Sequence, residues 1–168
     1  DIGRARILRA GEKIKKDNPE KTEFADFGFK TYTLEQPDKD TLDKLVEFNP
    51  LLPVGGKDIL GKFGIETVLS TWKIRDGYGF NSAVQAVDLK GYTAYLLTNA
   101  KVGTTLYLID DMPEEAIKEL IRKIEAFELN TDRIIEYGFA FEHVTNTALR
   151  TNLKTLKNRN PIEPVIRY

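Results

Sequence analysis

The chain has 168 residues, enough for one well-buried core and a squeeze for two full domains. Its 25 Lys and Arg against 26 Asp and Glu leave a net charge of -1, so attraction of a polyanion by the whole-molecule field is excluded and only a local patch can serve that role. The absence of cysteine removes disulfides, thiolate zinc sites and cysteine nucleophiles together and fits a cytoplasmic protein, while no apolar run approaches the roughly 20 residues of a membrane helix. The chain opens on Asp1 rather than Met with no signal-peptide pattern, which reads as a fragment.

Residues 3 to 16 have a helical pattern, with Ala5, Leu8 and Ile14 on one side and Arg4, Arg6, Arg9, Lys13, Lys15 and Lys16 mostly around the other. Asn18 and Pro19 end it. From Phe27 to Leu34, alternation of Phe27 and Phe29 with polar residues, then a phase slip to Tyr32 and Leu34, predicts a bulged strand. Gln36 to Asp40 reads as a linker, Leu42, Leu45 and Val46 as one face of a short helix, and Asn49 to Gly56 as a loop rich in proline and glycine.

A helical period returns from Lys57 to about Arg75 through Ile59, Leu60, Phe63, Val68, Leu69 and Trp72, weakened early by Gly61 and Gly64. Asp76 to Gly79 stops it. Val84 to Leu89 and Tyr92 to Thr98, separated by Lys90 and Gly91, predict a hairpin. The stretch from Thr104 to Phe141 reads as strand, helix, strand, with strands at 105–110 and 133–139. Between them Ala116, Ile117, Leu120, Ile121, Ile124 and Phe127 form an apolar stripe, and Asp111 is placed to cap the helix. Such a unit makes two parallel strands joined by a crossover helix. A last helix is expected from about Thr145 to Lys157, then a strand from Pro164 to Tyr168. The expected fold class is α/β: a mixed sheet of five or six strands with a hairpin and a βαβ unit, helices packed on the sheet.

Gly56 to Phe63 matches a phosphate-binding loop at its two glycines and Lys62, but Phe63 stands where the Mg²⁺-holding hydroxyl belongs. Asp110 and Asp111, after a predicted strand, are a conceivable metal pair set against the simpler role of a helix start. His143 is the only histidine, which removes sites needing two, and neither Ser70 nor Ser82 lies in a nucleophile elbow. Basic charge gathers at two places. One is the first helix; the other is the end of the chain, where Arg150, Lys154, Lys157 and Arg159 are the candidate contacts to DNA phosphates.

Three segments together resemble the C-terminal region of the modification (Mod) subunit of type III restriction-modification systems, the adenine-specific DNA methyltransferases. Gly3 to Ile14 is similar to the arginine-rich helix that follows the methyltransferase core, Asp26 to Leu34 resembles the strand segment after it, and Thr104 to Tyr168 resembles the final strand-helix-strand-helix-strand run, with Ala148 to Lys154 its most recognisable piece. The resemblance implies that residues 1–36 end the methyltransferase core and 37–168 form a C-terminal α/β domain. It also implies S-adenosylmethionine as cofactor of the full-length protein and a second Mod subunit, the restriction subunit and DNA as partners. The family's Asp-Pro-Pro-Tyr and Phe-x-Gly-x-Gly type motifs are absent here. No catalytic, cofactor or metal residue is therefore carried over, and the fragment is expected to be inactive alone. The alternative is a small independent nucleotide-binding protein or enzyme using residues 56–63.

Overall fold

A computed structural model describes residues 2–34, 56–157 and 162–167. The chain forms two compact units, Asp1–Glu35 and Gln36–Tyr168.

In the first unit, α1 runs Ile2–Asp17 and α2 is a single turn, Pro19–Thr22. Pro19 has no N-H to donate, so it opens α2 at its first position and α1 does not continue through it. The predicted strand at 27–34 is not formed: no ladder includes these residues. Alternation supplies a face, but a strand also needs a partner for its backbone, and the described residues of this unit offer none. At its start, Asp26 Oδ1 accepts from the Gly28 amide at 2.7 Å, a local turn that competes with extension into a ladder. Tyr32 and Leu34 are exposed. The predicted short helix at Leu42 to Val46 and the flanking linker and loop lie outside the described residues.

In the second unit, α3 covers Gly56–Arg75. Gly64 breaks its helical geometry at φ 78 and ψ 160, a conformation that glycine adopts without a side-chain clash. The strands are β1 Gln85–Leu89, β2 Tyr92–Asn99, β3 Gly103–Leu108, β4 Arg133–Tyr137 and β5 Val165–Arg167, with helices α4 Glu114–Glu125 and α5 His143–Lys154 on either side of β4 in sequence. They form one mixed five-stranded sheet in sequence order. The pairs β1-β2 and β2-β3 are antiparallel, and β3-β4 and β4-β5 are parallel.

Local chemistry sets the joints. Lys90 and Gly91 both take positive φ, 56 and 89, the signature of the two-residue turn whose twist suits a hairpin. Asp88 Oδ1 accepts from the Gly91 amide at 2.9 Å and holds that turn. Asp111 does not cap α4: the N-cap position falls at Pro113, without a side-chain bond, while Asp110 Oδ1 accepts from the Asp111 amide. At the other end Phe127 takes φ 57 and its amide returns to the Ile124 carbonyl, closing the helix with a left-handed residue. That closure turns Phe127 out of the stripe, and it is 62% exposed. Ala116, Ile117, Leu120 and Ile124 are buried, whereas Ile121 is only partly so. The last helix ends at Lys154, three residues short of the predicted Lys157, yet Leu156 beyond it remains buried.

The strand period of two sorts β4 between two helical layers. Arg133 and Tyr137 face α3, the latter through Trp72 at 5.7 Å between rings. Ile134 and Glu136 point the other way, where Glu136 meets Asn146 of α5. Helix α4 packs against α5 and β1, so the unit is helix, sheet, helix around a core of Leu106, Leu108, Leu120, Ile124, Ile134 and Leu149, all fully buried.

Candidate functional site

Three polar features stand out against this apolar frame. The first is Asp76, immediately after α3. Its Oδ2 accepts from Arg167 Nη1 at 2.9 Å and from the Tyr107 hydroxyl at 2.6 Å, while Oδ1 accepts from Arg167 Nη2 at 2.9 Å. Arg133 Nη2 stands 3.7 Å from the same Oδ1. The paired guanidinium contact is the geometry in which arginine holds a carboxylate most firmly. Burial pushes the Asp76 carboxyl upward, but the Arg167 and Tyr107 hydrogen bonds and the charges of Arg167 and Arg133 outweigh it, so the carboxyl sits below its ordinary value. Tyr107 is shifted the other way, by burial first and then by donating to Asp76. Arg167 also lies over the Trp72 ring at 5.2 Å, and Tyr78 donates to Thr105 Oγ1 at 2.7 Å beside Arg133. These groups are spent on one another. They tie α3 to β3, β4 and β5.

The second is Glu136, wholly buried near the end of β4. Its Oε1 accepts from Asn146 Nδ2 at 2.6 Å and lies 3.8 Å from Arg150 Nη2. Arg150 in turn stands 3.8 Å from Glu163 and donates to the Pro164 carbonyl at 3.3 Å. Burial raises the Glu136 carboxyl above its ordinary value, with Asn146 and Arg150 pulling against it. Among the described residues Glu136 Oε2 and Arg150 Nε are buried without a hydrogen-bond partner.

The third is a cleft of about 370 Å³ lined by Leu60, Gly61, Gly64, Ile65, Asp110, Asp111, Tyr137 and Ala140. It lies past the carboxyl ends of the parallel pair β3 and β4, the position at which open α/β sheets hold ligands. Its wall is mostly apolar, with the two aspartates as the only charged lining groups among the described residues. Among the described residues no group of three or more His, Cys, Asp or Glu is placed to hold a metal. The candidate pair Asp110 and Asp111 thus stands at the cleft with no third acidic, histidine or cysteine ligand among the described residues.

A sequence model of the family described as the Type III R-M EcoP15I C-terminal domain matches residues 63–162. The chain belongs to that family. It is 31% identical to the type III restriction-modification enzyme StyLTI Mod subunit of Salmonella typhimurium, over 95% of this chain and 28% of that protein. It is 30% identical to the EcoP15I Mod subunit of Escherichia coli, over 97% of this chain and 23% of that one. The EcoPI Mod subunit of Escherichia phage P1 is 32% identical over 58% of this chain and 15% of its own length. The chain therefore spans less than a third of each of these relatives. The resemblance seen in the sequence to the C-terminal region of Mod holds.

Within this type III domain the candidate phosphate contacts separate. Arg150 is held by Glu136, Glu163 and Pro164. Lys154 is exposed in the last turn of α5; Lys157 is exposed past the helix end, where its amide donates to Glu125 Oε1 at 3.2 Å. Arg159 lies outside the described residues. The last helix, expected to reach Lys157, thus carries two of the candidates and not three: Arg150 and Lys154 share α5, but Lys157 has left it. The imperfect phosphate loop is likewise corrected, since residues 56–63 are helical up to the break at Gly64 and present no loop to cradle a phosphate. His143 opens α5 on the surface, and the Ser82 hydroxyl donates to the Tyr78 carbonyl, so no acid-base pair joins them among the described residues.

The clusters at Asp76 and Glu136 were not singled out from the sequence. A signal for the second existed: Glu136 shares the phase of Ile134 in a strand whose interior is otherwise apolar, and Asn146 and Arg150, four apart on the next helix, share the side that would answer it.

Proposed function

We propose that this chain is the non-catalytic C-terminal part of a Mod subunit from a type III restriction-modification system, serving subunit assembly and contact with duplex DNA. The reading is carried by the family match across 63–162, supported by similarity to Mod subunits over nearly the whole chain. In this reading adenine methylation and S-adenosylmethionine belong to the rest of the parent protein, which acts in the cytoplasm with a second Mod subunit and a restriction subunit. The missing catalytic segments support that division, because adenine chemistry requires the base to be taken out of the duplex into a pocket that a methyltransferase core supplies. The α/β unit suits assembly. Its arginines at 133 and 167 stand against Asp76 and Arg150 against Glu136, both carboxylates inside the unit, while Arg122 and Lys118 on α4 pair with glutamates at the surface.

Sedimentation velocity with the restriction subunit of the same system tests the assembly role. The chain is expected to move with that subunit as one boundary. Two independent boundaries at tens of micromolar protein contradict it.

A further inference from the structure

Helix α1 carries a strip of cations along one side. At about 100° per residue, Arg6, Arg9, Lys13 and Lys16 fall within about 80° of one another around the helix, on a strip about 15 Å long. All four are exposed, and among the described residues none makes an ion pair or a side-chain hydrogen bond. The two acidic residues of α1, Glu12 and Asp17, flank the strip without pairing to it among the described residues. The opposite side holds Ile7, Gly11 and Ile14. There Phe27 closes on Gly11, its Cδ1 3.5 Å from where a Cβ would stand, and Lys15 lies over its ring at 5.0 Å.

Charge is concentrated here. The helix has six basic residues against two acidic ones, in a chain whose total is -1, so the other residues are net negative. A cationic strip on an otherwise acidic chain orients its approach to a polyanion.

We propose that α1 binds the phosphate backbone of duplex DNA through Arg6, Arg9, Lys13 and Lys16. The proposal rests on the reading of the chain as a Mod segment that meets DNA, and it moves the contact to α1 from Arg150 and its neighbours. A duplex offers one negative charge per about 1.7 Å of axis, so a strip about 15 Å long passes several phosphates and each cation finds one. Contacts from these cations to phosphate oxygens fix the position of the chain on the duplex and carry no sequence information themselves. A lipid surface fits less well. An interfacial helix buries its apolar side, and here Phe27 already occupies the middle of that side.

Fluorescence anisotropy of the whole chain with an unrelated 30-base-pair duplex, from 25 to 300 mM salt, tests this. Four contacts give a log-log salt slope of about -3.6, so affinity falls on the order of 150-fold between 50 and 200 mM. Each single change to Gln should remove about 0.9 of that slope. Together, Arg6→Gln, Arg9→Gln, Lys13→Gln and Lys16→Gln should abolish binding without altering the thermal midpoint, and the pair Lys154→Gln and Lys157→Gln should leave the slope unchanged. If the quadruple variant binds like the parent and the Lys154, Lys157 pair does not, the assignment to α1 is overturned while the DNA role stands. No binding at 25 mM salt overturns both. Binding to phosphatidylserine vesicles that needs the four residues, with no duplex binding, overturns the assignment in favour of a membrane surface.

Discussion

Arg167, in the last strand, grips Asp76 through two parallel bonds of 2.9 Å across 91 residues of chain. The pair joins the end of α3 to the far edge of the sheet, with Tyr107 donating to the same carboxylate and the Trp72 ring under the guanidinium. Because Asp76 is only 6% exposed in its side chain, removing Arg167 leaves a buried carboxylate with much of its compensation gone. Arg167→Ala should destabilise the fold by about 3 to 5 kcal/mol, read from urea denaturation at pH 7.

Asp76 also fixes the acid limit of that stability. Its folded carboxyl lies below the ordinary value, so its contribution is present above the unfolded pKa of about 3.9 and is lost as pH falls through the folded one. The stability difference between the parent and Asp76→Asn should therefore be constant from pH 7 to 5 and shrink below about pH 4. A difference that is the same at pH 3 and pH 7 would show that the charge of Asp76 is not what matters.

Glu136 has the opposite sign. Its folded carboxyl is raised, so the folded state holds its proton more tightly, and ionisation above the unfolded value of about 4.3 costs stability as pH rises. Arg150 limits that cost. Arg150→Ala should destabilise by about 3 kcal/mol at pH 7, the low end of the range for breaking a buried pair because the arginine is partly exposed, and by less at pH 4.5. Combining it with Glu136→Gln should recover part of the loss at pH 7. If Arg150→Ala leaves stability unchanged at pH 7, the arginine is free for an external ligand.

The helix between the parallel strands gives a packing test. Leu120→Ala should cost about 2 to 5 kcal/mol, as expected for a fully buried leucine. Ile121, which the apolar stripe placed in the core, is only partly buried, and its truncation should cost about half as much or less. Denaturation midpoints for the two variants separate these values directly.

The elements that the sequence made legible are those whose physics is local. Lys90 and Gly91 carry their turn in two residues, and the α4 stripe needs only a period. What was hidden depends on partners distant in sequence. Phe27 to Leu34 alternates like a strand but forms no ladder, and no pattern near Asp76 announces a guanidinium 91 residues away. Asp111 looked like the cap of α4 because aspartate suits that position, yet the helix begins two residues later, after Pro113. Phe127 kept the phase of the stripe in sequence and lost it in space, through one residue of positive φ. For the candidate site, the residue types of the basic final helix were legible, but the pairing of Arg150 with Glu136 became visible only once β4 and α5 were brought together.

Cofactor binding separates the chain from the catalytic part of its parent. Isothermal titration should show no saturable binding of S-adenosylmethionine at millimolar concentration, and none of ATP with Mg²⁺, because residues 56–63 are helical rather than a phosphate loop. Saturable ATP-Mg²⁺ binding lost in Lys62→Ala would restore the nucleotide-binding alternative.

Competition in a reconstituted restriction reaction tests the assembly role most directly. Excess of this chain, carrying the four α1 substitutions so that it does not compete for DNA, is added to the full Mod subunit and restriction subunit. If the chain is the assembly module proposed here, it withdraws the restriction subunit, so DNA cleavage falls with increasing chain while methylation by the full Mod subunit continues. Cleavage that persists undiminished at saturating excess of the chain would contradict the account.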